Sequence, residues 1–233
     1  MSYNLKNIMK KKMPTKKADE NSIWKKKTNT FIDLGCGENK RQGCIGVDFR
    51  EMPGVDIVEN LSKFPWNNIP NEIADVVYSS HLLEHINPDP SNPQLAGLID
   101  LLVNKGLVKK EEIDAFVGDY RFLGGFLRFM DEVWMKLKPG GQFISTFPYA
   151  GSPGFFQDPS HLNNITPTTL AYFDPLAKLD GTNQLYNLYS IYRPKPWKIV
   201  KCFYDQHGFI EVCLEKRKID KSYRCSSDNG MKE

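Results

Sequence analysis

The chain has 233 residues, 40% hydrophobic, 12% aromatic and 25% charged, with a formal net charge of +3. That length suits one core-forming domain that needs neither disulfides nor a structural metal, and no run approaches the roughly 18 apolar residues of a membrane span or the apolar stretch of a secretory signal. Five cysteines, an odd number without CxxC spacing, argue against a disulfide framework or a paired-cysteine zinc site, so the expectation is a soluble, reduced, cytoplasmic protein.

Residues 1–28 read as a flexible basic leader. Nine lysines against Asp19 and Glu20 give residues 1–27 a charge of +7 and leave −4 on the rest. Such a leader suits a solvated tail, and it can also draw in nucleic acid or an anionic surface. No aromatic residue interleaves with its first lysine cluster, so base stacking has no support there.

The body spans 29–221, and 222–233 reads as a polar tail. Short apolar runs at 30–34, 44–48, 55–58, 75–79, 142–147, 198–204 and 209–215 are strand candidates. They alternate with loops and helical patterns, which argues for an α/β sheet protein. The last two runs flank Asp205-Gln206-His207-Gly208 and read as an antiparallel hairpin. Residues 88–120 look like a small helical insertion with helices at 95–103 and 109–117, a cap rather than a domain. Leu123, Leu127, Met130, Trp134 and Leu137 recur at helical spacing, and Lys138-Pro139-Gly140-Gly141 then stops the helix. Residues 148–165 form a long loop of the kind that serves as a lid. Thr166 is placed to cap a helix opening on Pro167.

The informative stretch is Phe31-Ile32-Asp33-Leu34-Gly35-Cys36-Gly37. An apolar strand ends in an acid, and a Gly-x-Gly turn follows that lets a ligand approach bare backbone. In open α/β sheets such a turn, at the carboxyl end of the first strand, is a binding site. A dinucleotide site wants a third glycine and an acid about 20 residues on. Here Lys40 takes the third glycine's place, and Asp48 follows Asp33 by 15 residues. An acid ahead of the glycines repels a pyrophosphate and welcomes an ammonium group, so Asp33 and Lys40 together favour a zwitterionic ligand.

Asp33-Leu-Gly-Cys-Gly37, Gly46-Val-Asp48, Asn60-Leu61 before Phe64-Pro65-Trp66, Asp75-Val-Val-Tyr-Ser-Ser-His-Leu-Leu-Glu84-His85 and Leu137-Lys-Pro-Gly-Gly141 occur in that order. Together they resemble the ordered motifs of class I S-adenosylmethionine-dependent methyltransferases, most of all the type 11 group, over about residues 30–147. The resemblance implies a Rossmann-like, mostly parallel seven-stranded sheet with an antiparallel C-terminal hairpin. It implies S-adenosyl-L-methionine as cofactor, with Asp33, Gly35, Cys36 and Gly37 around the methionine end and Asp48 on the ribose hydroxyls. Asn60 stands where the family often has Asp, and with the Leu61 N–H it would meet the adenine. Ser80 and His81, after the fourth strand, would border the methionine part. One departure is plain: nine residues (35–43) and six (49–54) link the first three strands, too few for ordinary crossover helices, so these crossovers are shortened.

Methyl transfer needs a nucleophile held in line and, for a hydroxyl or amine, a group to take its proton. Histidine suits that work at neutral pH. Asp158-Pro-Ser-His161 lies in the lid loop, where Asp158 can orient His161 as a base or form an Asx-type turn without chemistry. His85, beside Glu84, suits an acceptor contact or a structural pair. No metal site is expected. The implied reaction is methyl transfer to an oxygen or nitrogen of a small-molecule or sugar-like acceptor; the alternatives are a nucleic-acid methyltransferase using the leader, or a catalytically silent cofactor-binding scaffold.

Overall fold

The computed structural model describes residues 23–24, 29–86, 101–109, 125–178, 194–220 and 223. Seven strands, β1 (Phe31–Leu34), β2 (Ile45–Asp48), β3 (Ile57–Val58), β4 (Ala74–Ser80), β5 (Leu137–Pro148), β6 (Trp197–Tyr204) and β7 (Phe209–Lys216), build one sheet. Their order is β3-β2-β1-β4-β5-β7-β6. The strands from β3 to β5 pair in parallel, whereas β7 pairs antiparallel with both β5 and β6. The expected Rossmann-like sheet and its C-terminal hairpin are therefore present.

Strands β1 and β2 are buried along nearly their whole length, whereas β4 and β5 alternate buried with half-buried positions. Ile32, Leu34, Val47, Val77 and Phe143 are all buried. On β7 the side chains alternate, with Ile210, Val212 and Leu214 in the core. Helix α1 (Gly125–Lys136) packs against β5 and buries Phe129, Met130 and Val133. The Phe129 ring meets Trp66 edge-on at 5.2 Å between centroids, so the loop after β3 is anchored to the same core.

Several boundaries differ from the sequence reading. The helix ends at Lys136, and Leu137 already belongs to β5, because its backbone pairs with Ala74 before the strand bulges out and resumes at Gln142 opposite Val76. The expected Pro-Gly-Gly turn is thus an outward bulge, with Gly140 at φ +75°. Strand β3 keeps only two residues of the expected 55–58. Between β1 and β2, and between β2 and β3, there are turns and no helix, as the shortened crossovers require.

Thr166 caps α3 (Pro167–Ala171) in a reciprocal box: its Oγ1 accepts the Thr169 N–H and the Thr169 Oγ1 accepts the Thr166 N–H, both at 3.1 Å. The lid loop contains a short helix, α2 (Pro153–Phe156), whose Ser152 cap accepts the Phe155 N–H. Of the 88–120 insertion only 101–109 is described, with 101–104 helical. The rest of that insertion, Leu123, and all but residues 23–24 of the leader and Tyr223 of the tail lie outside the described residues.

Candidate active site

The carboxyl ends of β1, β2 and β4 converge at the point where the chain passes from one side of β1 to the other, the usual ligand crevice of an open α/β sheet. Beyond β1 the chain turns through Gly35 and Gly37, at φ +67° and +52°, a backbone region that strongly favours glycine. The turn is held from beneath, since the Gly35 and Cys36 N–H groups both donate to the Val47 carbonyl at 2.8 and 3.2 Å. A Cβ at Gly37 would meet nothing within 4 Å, whereas one at Gly35 would press on Leu82 at 3.0 Å.

Two buried acids flank this turn. The Asp33 Oδ2 accepts the Arg41 N–H at 2.8 Å, closing the 35–43 turn back onto its own strand. Burial raises the Asp33 pKa, and the Arg41 N–H and the neighbouring Arg41 and Lys40 charges partly offset this. The Asp48 Oδ2 accepts the Gly37 N–H at 3.0 Å, and its Oδ1 accepts the Arg50 N–H at 3.1 Å. Cys36 is buried, and its thiol is pushed up to about 11 by desolvation first and then by Asp33 and Asp48. It is therefore a protonated packing residue at neutral pH, not a nucleophile.

Lys40 is committed elsewhere. Its ammonium pairs with Asp56 at 2.8 Å, and the same Asp56 oxygen accepts the Gly46 N–H at 2.7 Å. The ligand preference inferred from Lys40 therefore loses that support, while Asp33 keeps its place. Asn60 is exposed and its Oδ1 accepts the Ser62 N–H at 3.0 Å. Leu61 is buried beside it, with no hydrogen bond to its N–H among the described residues.

At the end of β4, Ser80 is exposed and Ser79 is buried. The chain then turns at His81, φ +52°, whose N–H donates to the Thr146 carbonyl at 2.8 Å. The His81 Nδ1 lies 3.2 Å from Glu84 Oε1. That bond raises the imidazole pKa, and burial opposes it.

A second group gathers where the 148–165 loop folds back on the turn Leu83–His85. The Leu162 and Asn163 N–H groups donate to the Glu84 carbonyl at 2.7 and 3.1 Å. The Asn163 Nδ2 bridges the Leu83 and Ile86 carbonyls, both at 2.7 Å. These bonds carry His161 to His85 across 76 positions of sequence, with ring centroids 4.7 Å apart. The His161 Nδ1 faces the Phe155 carbonyl at 2.7 Å. A carbonyl only accepts, so Nδ1 holds the proton and Nε2 is the basic nitrogen.

Of the two arrangements its spacing allowed, Asp158 makes the Asx-type turn. Its Oδ1 accepts the Ser160 N–H and Oγ–H at 2.8 and 2.6 Å, while its Oδ2 stands 3.8 Å from His161 Nε2. The imidazole is thus oriented by the Phe155 carbonyl, and Asp158 is a nearby charge. Sequence reasoning gave Phe155, Ser160, Asn163 and Arg41 no role in the site, because Phe155 and Arg41 act through backbone groups, which carry no residue-type signal, and the Ser160 and Asn163 side chains meet partners 75 and 80 positions away. Glu84 was visible only as the neighbour of His85.

No family model matches the chain, and no curated protein matches it. Among solved structures, it is similar to a 1,6-didemethyltoxoflavin-N1-methyltransferase from Burkholderia thailandensis with bound S-adenosylhomocysteine, at 12% identity over 81% of this chain and 71% of that one, TM-score 0.45. It is similar also to an S-adenosylmethionine-dependent methyltransferase from Archaeoglobus fulgidus, at 16% identity, 81% and 86% coverage and TM-score 0.44. A 16S rRNA (adenine(1408)-N(1))-methyltransferase from Catenulisporales acidiphilia matches at 12% identity, 83% and 87% coverage and TM-score 0.43.

Proposed function

We propose that the chain is an S-adenosylmethionine-dependent methyltransferase. The observation that carries this reading is the clasp between Asp48 and the Gly35-Cys36-Gly37 turn, two buried acids and open glycine backbone set at the strand ends of a Rossmann-like sheet. The residues present fit the cofactor. The Asp48 and Asp33 carboxylates keep unused lone pairs beyond their bonds to N–H groups, and nothing stands over Gly37. Asp33, Gly35, Cys36 and Gly37 would hold the methionine end, Asp48 the ribose diol, and Asn60 with Leu61 the adenine. Ser80 and His81 would border the methionine part from β4. Bound there, the cofactor supplies an electrophilic methyl on sulfur.

On the acceptor side, His161 Nε2 takes the proton of an acceptor hydroxyl or amine. Its Nδ1–H is fixed by the Phe155 carbonyl, which leaves Nε2 free to accept. His85 contacts the acceptor from the opposite side of the pair. A small-molecule or sugar-like acceptor suits this compact histidine centre and the net acidity of the body.

Calorimetric titration with S-adenosylhomocysteine tests the cofactor half. Asp48→Ala is expected to weaken binding by about 1–3 kcal/mol, the scale of a lost hydrogen bond to a buried charged group; equal affinity in the variant overturns the ribose assignment. The leader's charge of +7 supports a second reading with a nucleic-acid acceptor. That reading requires salt-sensitive RNA or DNA binding that vanishes when residues 1–28 are deleted.

A further inference from the structure

We propose that Glu84, His85 and His161 form a three-ligand site for a divalent transition-metal ion of the zinc type. One carboxylate oxygen and one nitrogen from each imidazole lie within 4.8 Å of one another. The grouping is not local chance: the turn at 83–85 and the loop at 161 are stitched together by four backbone-directed bonds.

Two features show a site built for a ligand. First, Glu84 is wholly buried, and its Oε2 has no hydrogen-bond partner. A buried carboxylate oxygen left this way costs about 1–3 kcal/mol or more, and a cation would offset that. His81 engages only the other oxygen, Oε1. Second, both imidazoles are oriented through Nδ1 on backbone carbonyls. His161 donates to Phe155 at 2.7 Å, and His85 to Ser160 at 3.3 Å with the Ser160 Oγ 3.1 Å away. Metal-ligating histidines are held in this way by their second nitrogen, which fixes the tautomer and leaves Nε2 to the metal.

The Ser160 hydroxyl donates a hydrogen bond to Asp158 Oδ1 at 2.6 Å, so the chain of orienting bonds continues one residue further. Two imidazoles and one carboxylate suit zinc and its neighbours better than magnesium or calcium, which prefer all-oxygen shells. Tetrahedral ligand bonds of roughly 2.0–2.1 Å put neighbouring ligand atoms about 3.4 Å apart, inside the 4.8 Å that bounds the present separations. Three protein ligands also leave a coordination position open, the pattern of a catalytic rather than a structural site. In the loaded protein His161 is a ligand and no longer the proton acceptor.

The site does not rest on the methyltransferase reading, and its test needs no cofactor. The full chain is stripped with a chelator and titrated with zinc alone by calorimetry, in parallel with His85→Ala, His161→Ala, Glu84→Gln and the exposed hairpin control His207→Ala. One equivalent should bind to the wild type and to His207→Ala. Each ligand variant should weaken binding by about 10-fold or more, since outer-shell losses alone reach roughly 10- to 100-fold. The two histidine variants keep the test independent of any folding defect in Glu84→Gln. Absence of stoichiometric binding, or equal affinity in the histidine variants, overturns the proposal. So does a thiolate-to-metal charge-transfer band in the cobalt-substituted protein, which would place the ion on cysteine.

Discussion

The Asp48 carboxylate accepts the Gly37 N–H at 3.0 Å through one oxygen and the Arg50 N–H at 3.1 Å through the other. The acid that ends β2 therefore shapes the glycine turn after β1 as well as facing the crevice. Asparagine is nearly isosteric but supplies only one acceptor oxygen, so one of the two N–H groups would confront an amide NH2. Asp48→Asn should lower unfolding free energy by about 1–3 kcal/mol, the range for a buried polar group left unpaired, and weaken S-adenosylhomocysteine binding as well. Urea unfolding of the cofactor-free protein reads the first effect and calorimetry the second. Wild-type stability in the variant would show that the turn holds without the clasp.

Gly46 sits in the middle of β2, where its conformation is ordinary but its space is not. A Cβ there would lie 2.6 Å from the Lys40 Cδ, 2.8 Å from the Cys36 Sγ and 2.9 Å from the Gly54 carbonyl oxygen. The lysine can swing aside; the backbone oxygen cannot without moving the β2–β3 turn. Gly46→Ala is expected to destabilise by about 1–3 kcal/mol through overpacking. Thermal melting without ligand checks it, and a change within a few tenths of the wild type would mean that the turn yields freely.

Ser79 and Ser145 face each other across β4 and β5, both buried, with hydroxyl oxygens 2.8 Å apart. Each hydroxyl is the partner of the other, so removing one leaves a buried polar group behind. Ser79→Ala and Ser145→Ala should each lower stability by about 1–2 kcal/mol, while the double variant loses less than their sum. A double-mutant cycle in urea measures the coupling. Strict additivity would show that the pair contributes nothing as a pair.

How much of this was legible depends on whether the signal is in side chains or in backbone. The α/β class and the Asp205–Gly208 hairpin were readable because apolar runs and turn residues are patterns of residue type, and the mostly parallel seven-stranded sheet followed from the resemblance of the ordered motifs. The early crossovers were readable from length alone. What escaped the sequence has a common cause. The bulge at 138–141 arises because Leu137 pairs with Ala74, a long-range register that Pro-Gly-Gly does not announce. Lys40 looked like a ligand group until Asp56, 16 positions away, proved to be its partner. The spacing of Asp158 and His161 allowed an orienting pair or an Asx-type turn, and residue type does not announce that the Phe155 carbonyl takes the imidazole and leaves Asp158 to the turn. Glu84, His85 and His161 meet only because the loop after β5 folds back on the turn after β4.

Asp131 gives the fold a pH dependence whose sign can be worked out. It lies on α1, where its Oδ1 accepts the Lys195 N–H at 2.7 Å. Desolvation raises its pKa to about 6, with Glu132 adding a smaller push, against the pull of the Lys195 N–H and charge. The folded state then holds a proton that the unfolded state, near 3.8, has already released. Stability from this group is full below about pH 4 and falls as pH rises to about 6, by roughly 3 kcal/mol for a shift of about two units. Asp131→Asn keeps an oxygen for the Lys195 N–H and cannot ionise. The variant should be more stable than the wild type at pH 7, with the gap closing towards pH 4. Urea unfolding of both proteins between pH 4 and 7 tests this, and a stability difference that does not change with pH would mean that Asp131 ionises in the fold as readily as in the open chain.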